Sequence, residues 1–125
     1  MLKNNGHILG ETLNLRNLHV FILLLVAAGL EALGDSFFQS GIHKSTGTLR
    51  TGFFLAGMAA LALYGFMINT APWDFGRLIG LYVVFFFVIS QVIARLRFHQ
   101  TPSPAMWVGG SFIVIGGAII WLGQR

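Results

Sequence analysis

The stretch GLYVVFFFVI, residues 80–89, is apolar at every position. A membrane strand alternates apolar and polar side chains, because one face meets lipid and the other a lumen. That alternation is missing here, so the stretch reads as helix. Followed outward, the apolar run covers residues 75–94, with Arg77 near its start. About 20 apolar residues cross a bilayer, since a rise of about 1.5 Å per residue must span about 30 Å. Three more segments reach that length. Residues 18–38 are interrupted by Glu31 and Asp35, while 52–71 and 105–123 carry no charge.

The composition agrees. Of 125 residues, 55% are hydrophobic and only 10% charged, where soluble domains carry about 25% charged residues. The sixteen glycines suit close-packed membrane helices, in which small residues let backbones approach. No cysteine is present, which excludes disulfides, zinc–thiolate sites and thiol catalysis. The net charge of +4 is scattered. Nucleic-acid binding would need a denser basic stripe, and snorkelling interfacial anchors account for the charge better.

The segments between the spans are short. GTLRTG (47–52) reads as the first break. APWD (71–74) is a tight connection in which Pro72 ends the preceding helix. TPSP (101–104) leads into the fourth helix, with Ser103 as N-cap and Pro104 in the first turn. Short connections make neighbours antiparallel. The expected fold is an all-α integral membrane protein, a compact four-helix bundle over 18–125. The polar residues 1–17 are expected to form a tail rather than an interfacial helix. The length of that polar region, and the acids interrupting the apolar stretch, argue against a signal peptide.

Lys and Arg divide almost evenly between the two sides. Lys3, Arg16, Arg125 and Arg77 fall on the side of the termini, and Lys44, Arg50, Arg95 and Arg97 on the other. Orientation normally follows an excess of these residues. Two readings stand open: a bias too weak to count, or a chain that inserts both ways and pairs antiparallel, an inverted symmetry familiar in transporters.

LVAAGLEALGDSFF (25–38) places two acids in the first span. Helical spacing sets Glu31 among the small residues Ala27, Ala28 and Gly34, with Leu25, Leu33 and Phe37 on the opposite face. An acid at bilayer depth costs about 3 kcal/mol even on lenient scales, and such residues face a cavity or a partner. A carboxylate so placed can trade a proton for a cation, which is what proton-coupled export requires. An ion pair with Arg77 is the structural alternative. Arg77 and Asp35 lie at opposite ends of their spans, so that pairing is expected only across an antiparallel dimer. Asp35 stands as a second cavity acid or as the wet end of the helix.

Glu31-Ala32-Leu33-Gly34 on the first of four helices resembles the small multidrug resistance family of the drug/metabolite transporter superfamily. Its members carry a membrane-embedded Glu in helix 1 followed three residues later by Gly. PWDFGRLIGLY (72–82) is similar to the family's opening of helix 3, and SPAMWVGGSFIVIGGAIIW (103–121) to its helix 4. The likeness spans residues 20–123 and is nearest to uncharacterised four-helix relatives with Gly-Arg and a later Tyr, here Gly76-Arg77 and Tyr82. It implies an antiparallel, dual-topology homodimer in a bacterial plasma (inner) membrane, with two Glu31 residues sharing one site for protons or cationic substrate. A paired homologous subunit would serve in place of the second copy. Drug-exporting members carry Tyr and then Trp in helix 3, where this chain has Ile79 and Tyr82. Cation–π contact at that level therefore falls to Tyr82 alone.

Of the remaining features, Tyr64 can reach the site through its hydroxyl or pack against lipid. Ser90 and Gln91 are expected to bond between helices. Gly76 and Gly80 form a small-xxx-small step. Gly109-Gly110 and Gly116-Gly117 repeat at seven residues, which returns to nearly one face. The family resemblance makes that seam a dimer contact, against an intramolecular groove. Trp73 and Trp107 read as belt residues. His7, His19, His43 and His99 lack ligand spacing, so no metal site is expected. No cofactor is expected either, and no catalytic triad or phosphate loop supports an enzyme. The expected function is proton-coupled export of small cationic or amphipathic compounds, with Glu31, Tyr82, Tyr64 and Asp35 as candidate site residues. The alternatives are a subunit of a lipid-linked sugar flippase and a non-transporting membrane interaction protein.

Overall fold

A computed structural model of the chain describes residues 3–123, with side chains from residue 14 onward. It forms four helices: α1 (Lys3–His43), α2 (Gly47–Ile68), α3 (Phe75–Phe98) and α4 (Pro104–Leu122). No strand occurs among the described residues. All four helices contain stretches long and apolar enough to cross a membrane, α1 through its part Asn14–His43. The protein is all-helical, with four candidate spans.

Local chemistry fixes several helix ends. Ser103 caps α4, accepting a hydrogen bond from the Met106 amide at 3.3 Å, and Pro104 follows in the first turn. His99 closes α3 in the left-handed region (φ 55°), and the Gln100 amide folds back to the Ala94 carbonyl at 3.2 Å. Two boundaries differ from the sequence reading. The expected tail is helical from Lys3, because no proline interrupts the hydrogen-bond ladder between Lys3 and His43. The boundary near residue 17 marks a change of polarity, not of backbone. Likewise GTLRTG does not break the chain. The break falls at residues 44–46, and GTLRTG forms the opening turns of α2 behind the extended Thr46.

Backbone contacts join α1 to α2 and to α3, and α4 to α3 alone. Aromatic side chains bridge the rest: Tyr64 of α2 meets Tyr82 of α3, and Trp121 of α4 meets Phe21 of α1. The order of close backbone approach is therefore α2, α1, α3, α4. Glycine placement explains how α1 and α2 meet. A Cβ on Gly34 would lie 2.8 Å from Leu61 and 3.2 Å from the Gly57 carbonyl oxygen, and one on Gly57 would lie 2.7 Å from Phe38. The two backbones therefore approach to a distance only glycine allows. Phe38 and Phe54 stack beside this crossing, with ring centres 5.5 Å apart.

The outer helix divides the glycine seam. Gly110 lies against Phe87 and Gly117 against Val84, so these two receive α3 side chains within the same subunit. Gly109 and Gly116 meet open space. A repeat of seven carries both stripes along α4, about 100° apart, and only one of them packs on α3. The Gly76–Gly80 step divides in the same way: Gly80 meets Ile120, and Gly76 meets nothing.

Opposite ends of the α1–α3 contact are held differently. Near the start of the first span, Phe21, Trp73 and Trp121 form an aromatic cluster with centres 4.9–6.3 Å apart. The Arg77 guanidinium lies over Trp73 at 4.4 Å and Trp121 at 5.3 Å. Trp73 is thus a packing residue rather than a belt residue, while Trp107 is exposed. At the far end, Arg97 donates to Ser40 at 3.3 Å and covers the Phe37 ring at 4.7 Å. If the glycine crossing fixes α1 on α2, Gly57→Leu costs about 1–3 kcal/mol through overpacking. Thermal unfolding in detergent should then show a lowered midpoint for G57L. For G52A, where nothing lies within 4 Å, the midpoint should be unchanged or raised.

Candidate functional site

The α1–α3 interface at mid-span is built from small residues on one helix and large ones on the other. Ala27 and Ala28 are fully buried, as is Leu24, and Leu78, Leu81 and Tyr82 fill the facing side of α3. The alanines leave room for the Tyr82 ring, which is only 4% exposed. Its hydroxyl donates a short hydrogen bond to Oε2 of Glu31. This contact joins residues 51 apart in sequence. Tyr64 of α2 stacks on Tyr82 with ring centres 5.5 Å apart and planes 26° apart. Phe86, one turn further along α3, also stacks on Tyr82, with ring centres 6.1 Å apart.

Three of the four candidate residues thus form one constellation. Glu31 supplies the carboxylate, Tyr82 the donor, and Tyr64 a second ring. Glu31 is half-buried, and the Tyr64 hydroxyl also lies close to its carboxylate. A carboxylate beside two phenol rings presents a charged acceptor together with π faces, a combination suited to a desolvated cation. Gly34, three residues beyond Glu31, serves the α1–α2 crossing.

Asp35 falls elsewhere. It is exposed and lines a cavity of about 140 Å³ with Ser36, Gln39, Phe86, Ser90 and Gln100, and this cavity does not include Glu31 or Tyr82. Arg77 does not approach it within the subunit. Phe21 marks the level of Arg77 on α1, and fourteen residues of helix separate it from Asp35, about 20 Å. Leu25 and Leu33 point outward, and Phe37 is partly covered by Arg97. Ile79 packs against the core cluster. Ser90 shares the Asp35 cavity, whereas Gln91 lines a groove with Pro102 and Met106 on the α4 side of α3.

Sequence reasoning missed Phe86, Ser36, Gln39 and Gln100. Ser36 and Gln39 carried a usable signal: they are polar residues within the first span and within one turn of Asp35. Phe86 carried none, because it sits in a run of three phenylalanines and only the structure shows which one touches Tyr82. His19, His43 and His99 belong to no cluster with metal-ligand character among the described residues; His7 lies among residues whose side chains are not described.

No protein-family model matches this chain, and no solved structure does. A UPF0060 membrane protein from Herpetosiphon aurantiacus is 28% identical over 101 residues, covering 79% of this chain and 90% of the relative. That similarity and the four apolar helices place the chain among multi-pass integral membrane proteins.

Proposed function

We propose that this protein is a transporter that exchanges protons for small cationic or amphipathic compounds at Glu31. One observation carries the reading: within the spans, the Glu31 carboxylate is held by the hydroxyl of a buried tyrosine. An acid at that depth costs about 3 kcal/mol. A hydrogen bond to a charged group returns about 1.5–3 kcal/mol. Tyr82 therefore lets Glu31 remain in the span without an arginine or lysine partner fixing it permanently. A permanent ion pair would block exchange. A neutral phenol donor yields the carboxylate to a proton or a cation as a fixed ion pair would not, and Tyr64 and Tyr82 supply rings beside it. The likeness to the small multidrug resistance family, in the Glu-x-x-Gly of helix 1, supports the same assignment.

Two copies in opposite orientation belong to this reading. The near-even division of Lys and Arg supports it, as does the outer face of α4, where Gly109 and Gly116 lie open beside exposed Phe112 and Ile119.

In proteoliposomes with an imposed pH gradient, wild-type protein should drive accumulation of a substrate found by screening ammonium, guanidinium and polyamine compounds. E31Q should lose that flux at least tenfold; equal flux in wild type and E31Q would sink the exchange mechanism. The native chain has no cysteine, so single-cysteine variants report cleanly on pairing. G116C should cross-link to a dimer at low protein-to-lipid ratio, and G110C, which faces α3, should not. Monomer in both would refute the α4 contact.

A further inference from the structure

The cavity at Asp35 has no part in the exchange step just described, yet it is the polar recess nearest to that step. It reaches from the α3–α4 connection, at Gln100, down to Ala32 and Phe86. Asp35 lies eight residues before His43, the end of α1, which is about 12 Å of helix. A carboxylate at that depth needs water or a cation.

The lining is chemically one-sided. Asp35 is the one charged residue on it. Ser36 Oγ donates its hydrogen to the Leu33 carbonyl at 2.7 Å, and Ser90 Oγ donates to the Phe87 carbonyl at 2.8 Å. With their hydrogens engaged by the backbone, both hydroxyls have only lone pairs left to offer. Gln39 and Gln100 add amides, whose oxygens can turn toward a cation. Of the basic groups at this end, Arg97 is held by Ser40 and Phe37, Arg50 lies over Phe54, and Arg95 lines a separate groove with Gln91 and Leu96. Lys44 sits 4.6 Å over the ring of Phe98, at the edge of the lining. A cavity of about 140 Å³ takes about four or five waters at roughly 30 Å³ each, or a small ammonium-type cation with a partial water shell.

We propose that this cavity is a second cation subsite, with Asp35 as its charged ligand and Ser36, Ser90 and the two glutamines as neutral acceptors. It selects small monovalent cations over anions on the side of the α3–α4 connection. Its inner wall is Phe86, the ring stacked on Tyr82, which in turn holds Glu31. The subsite therefore lies one aromatic ring away from the exchange pair. Its use as an approach to Glu31 rests on the exchange reading, but its cation selectivity does not.

Thiol accessibility tests it in full-length protein purified in detergent. Ser90→Cys is nearly isosteric, and Gln39→Cys gives a second position at the exposed edge. Each is reacted with 2-aminoethyl and with 2-sulfonatoethyl methanethiosulfonate, and rates are normalised to those of a free thiol. The cationic reagent should react about tenfold faster or more, the order expected from one nearby charge in a partly screened site. Asp35→Asn should remove the preference at both positions, and Glu31→Gln should leave it in place. Equal rates for the two reagents, a preference that survives D35N, or no reaction at either position would overturn the subsite. If the preference holds while E31Q retains flux, the exchange mechanism fails and the subsite stands.

Discussion

A hydrogen bond between a tyrosine and a glutamate, in the middle of an apolar layer, sets the terms for the rest of this protein. Hydrocarbon supplies no water to a carboxylate, so Glu31 must be met by the protein itself. Tyr82 meets it, and the consequences spread outward. The Tyr82 ring can approach α1 only because Ala27 and Ala28 present almost no side chain there. α1 and α3 must then run parallel at a fixed register. The paired levels of Phe21 with Trp73, Glu31 with Tyr82 and Ser40 with Arg97 show that they do.

The two ends of this contact are held by cations without carboxylates. Arg77 rests on indole faces, and Arg97 on a phenyl ring and a hydroxyl. In both cases the guanidinium Nε is buried without a hydrogen-bond partner. Neither arginine neutralises an acid of α1 in the contacts it makes, so both acids keep their chemistry. An arginine placed over Glu31 would make a better-paired interior and hold the carboxylate in a permanent ion pair.

The spans could be read in the sequence because hydropathy and length decide them almost alone, and the cap at Ser103–Pro104 follows from local chemistry. Glu31 could be read too, since an acid among alanines in an apolar run has few structural uses. What could not be read was which of several equivalent faces turns inward. Gly109 and Gly110 are indistinguishable in composition, and only the rotation of α4 sends Gly110 to Phe87 and leaves Gly109 open. Phe86 hid among identical neighbours for the same reason. The order of backbone approach was equally hidden, because short connections dictate antiparallel neighbours but not that the fourth helix reaches the first through a side chain, Trp121. The reach of α1 to Lys3 was obscured by polarity, which marks the membrane boundary and says little about the backbone.

If a tyrosine hydroxyl holds the carboxyl group of Glu31, its vibration must register that bond. Infrared difference spectra of the reconstituted protein in D₂O, taken between acid and alkaline pH, should contain a carboxylic C=O band that is absent in E31Q. In Y82F that band should move to higher frequency, as a carboxyl losing a hydrogen bond does, while G52A, a change in open space on α2, should leave it in place. A Glu31 band with the same position in wild type and Y82F would contradict the contact on which this account of the site is built.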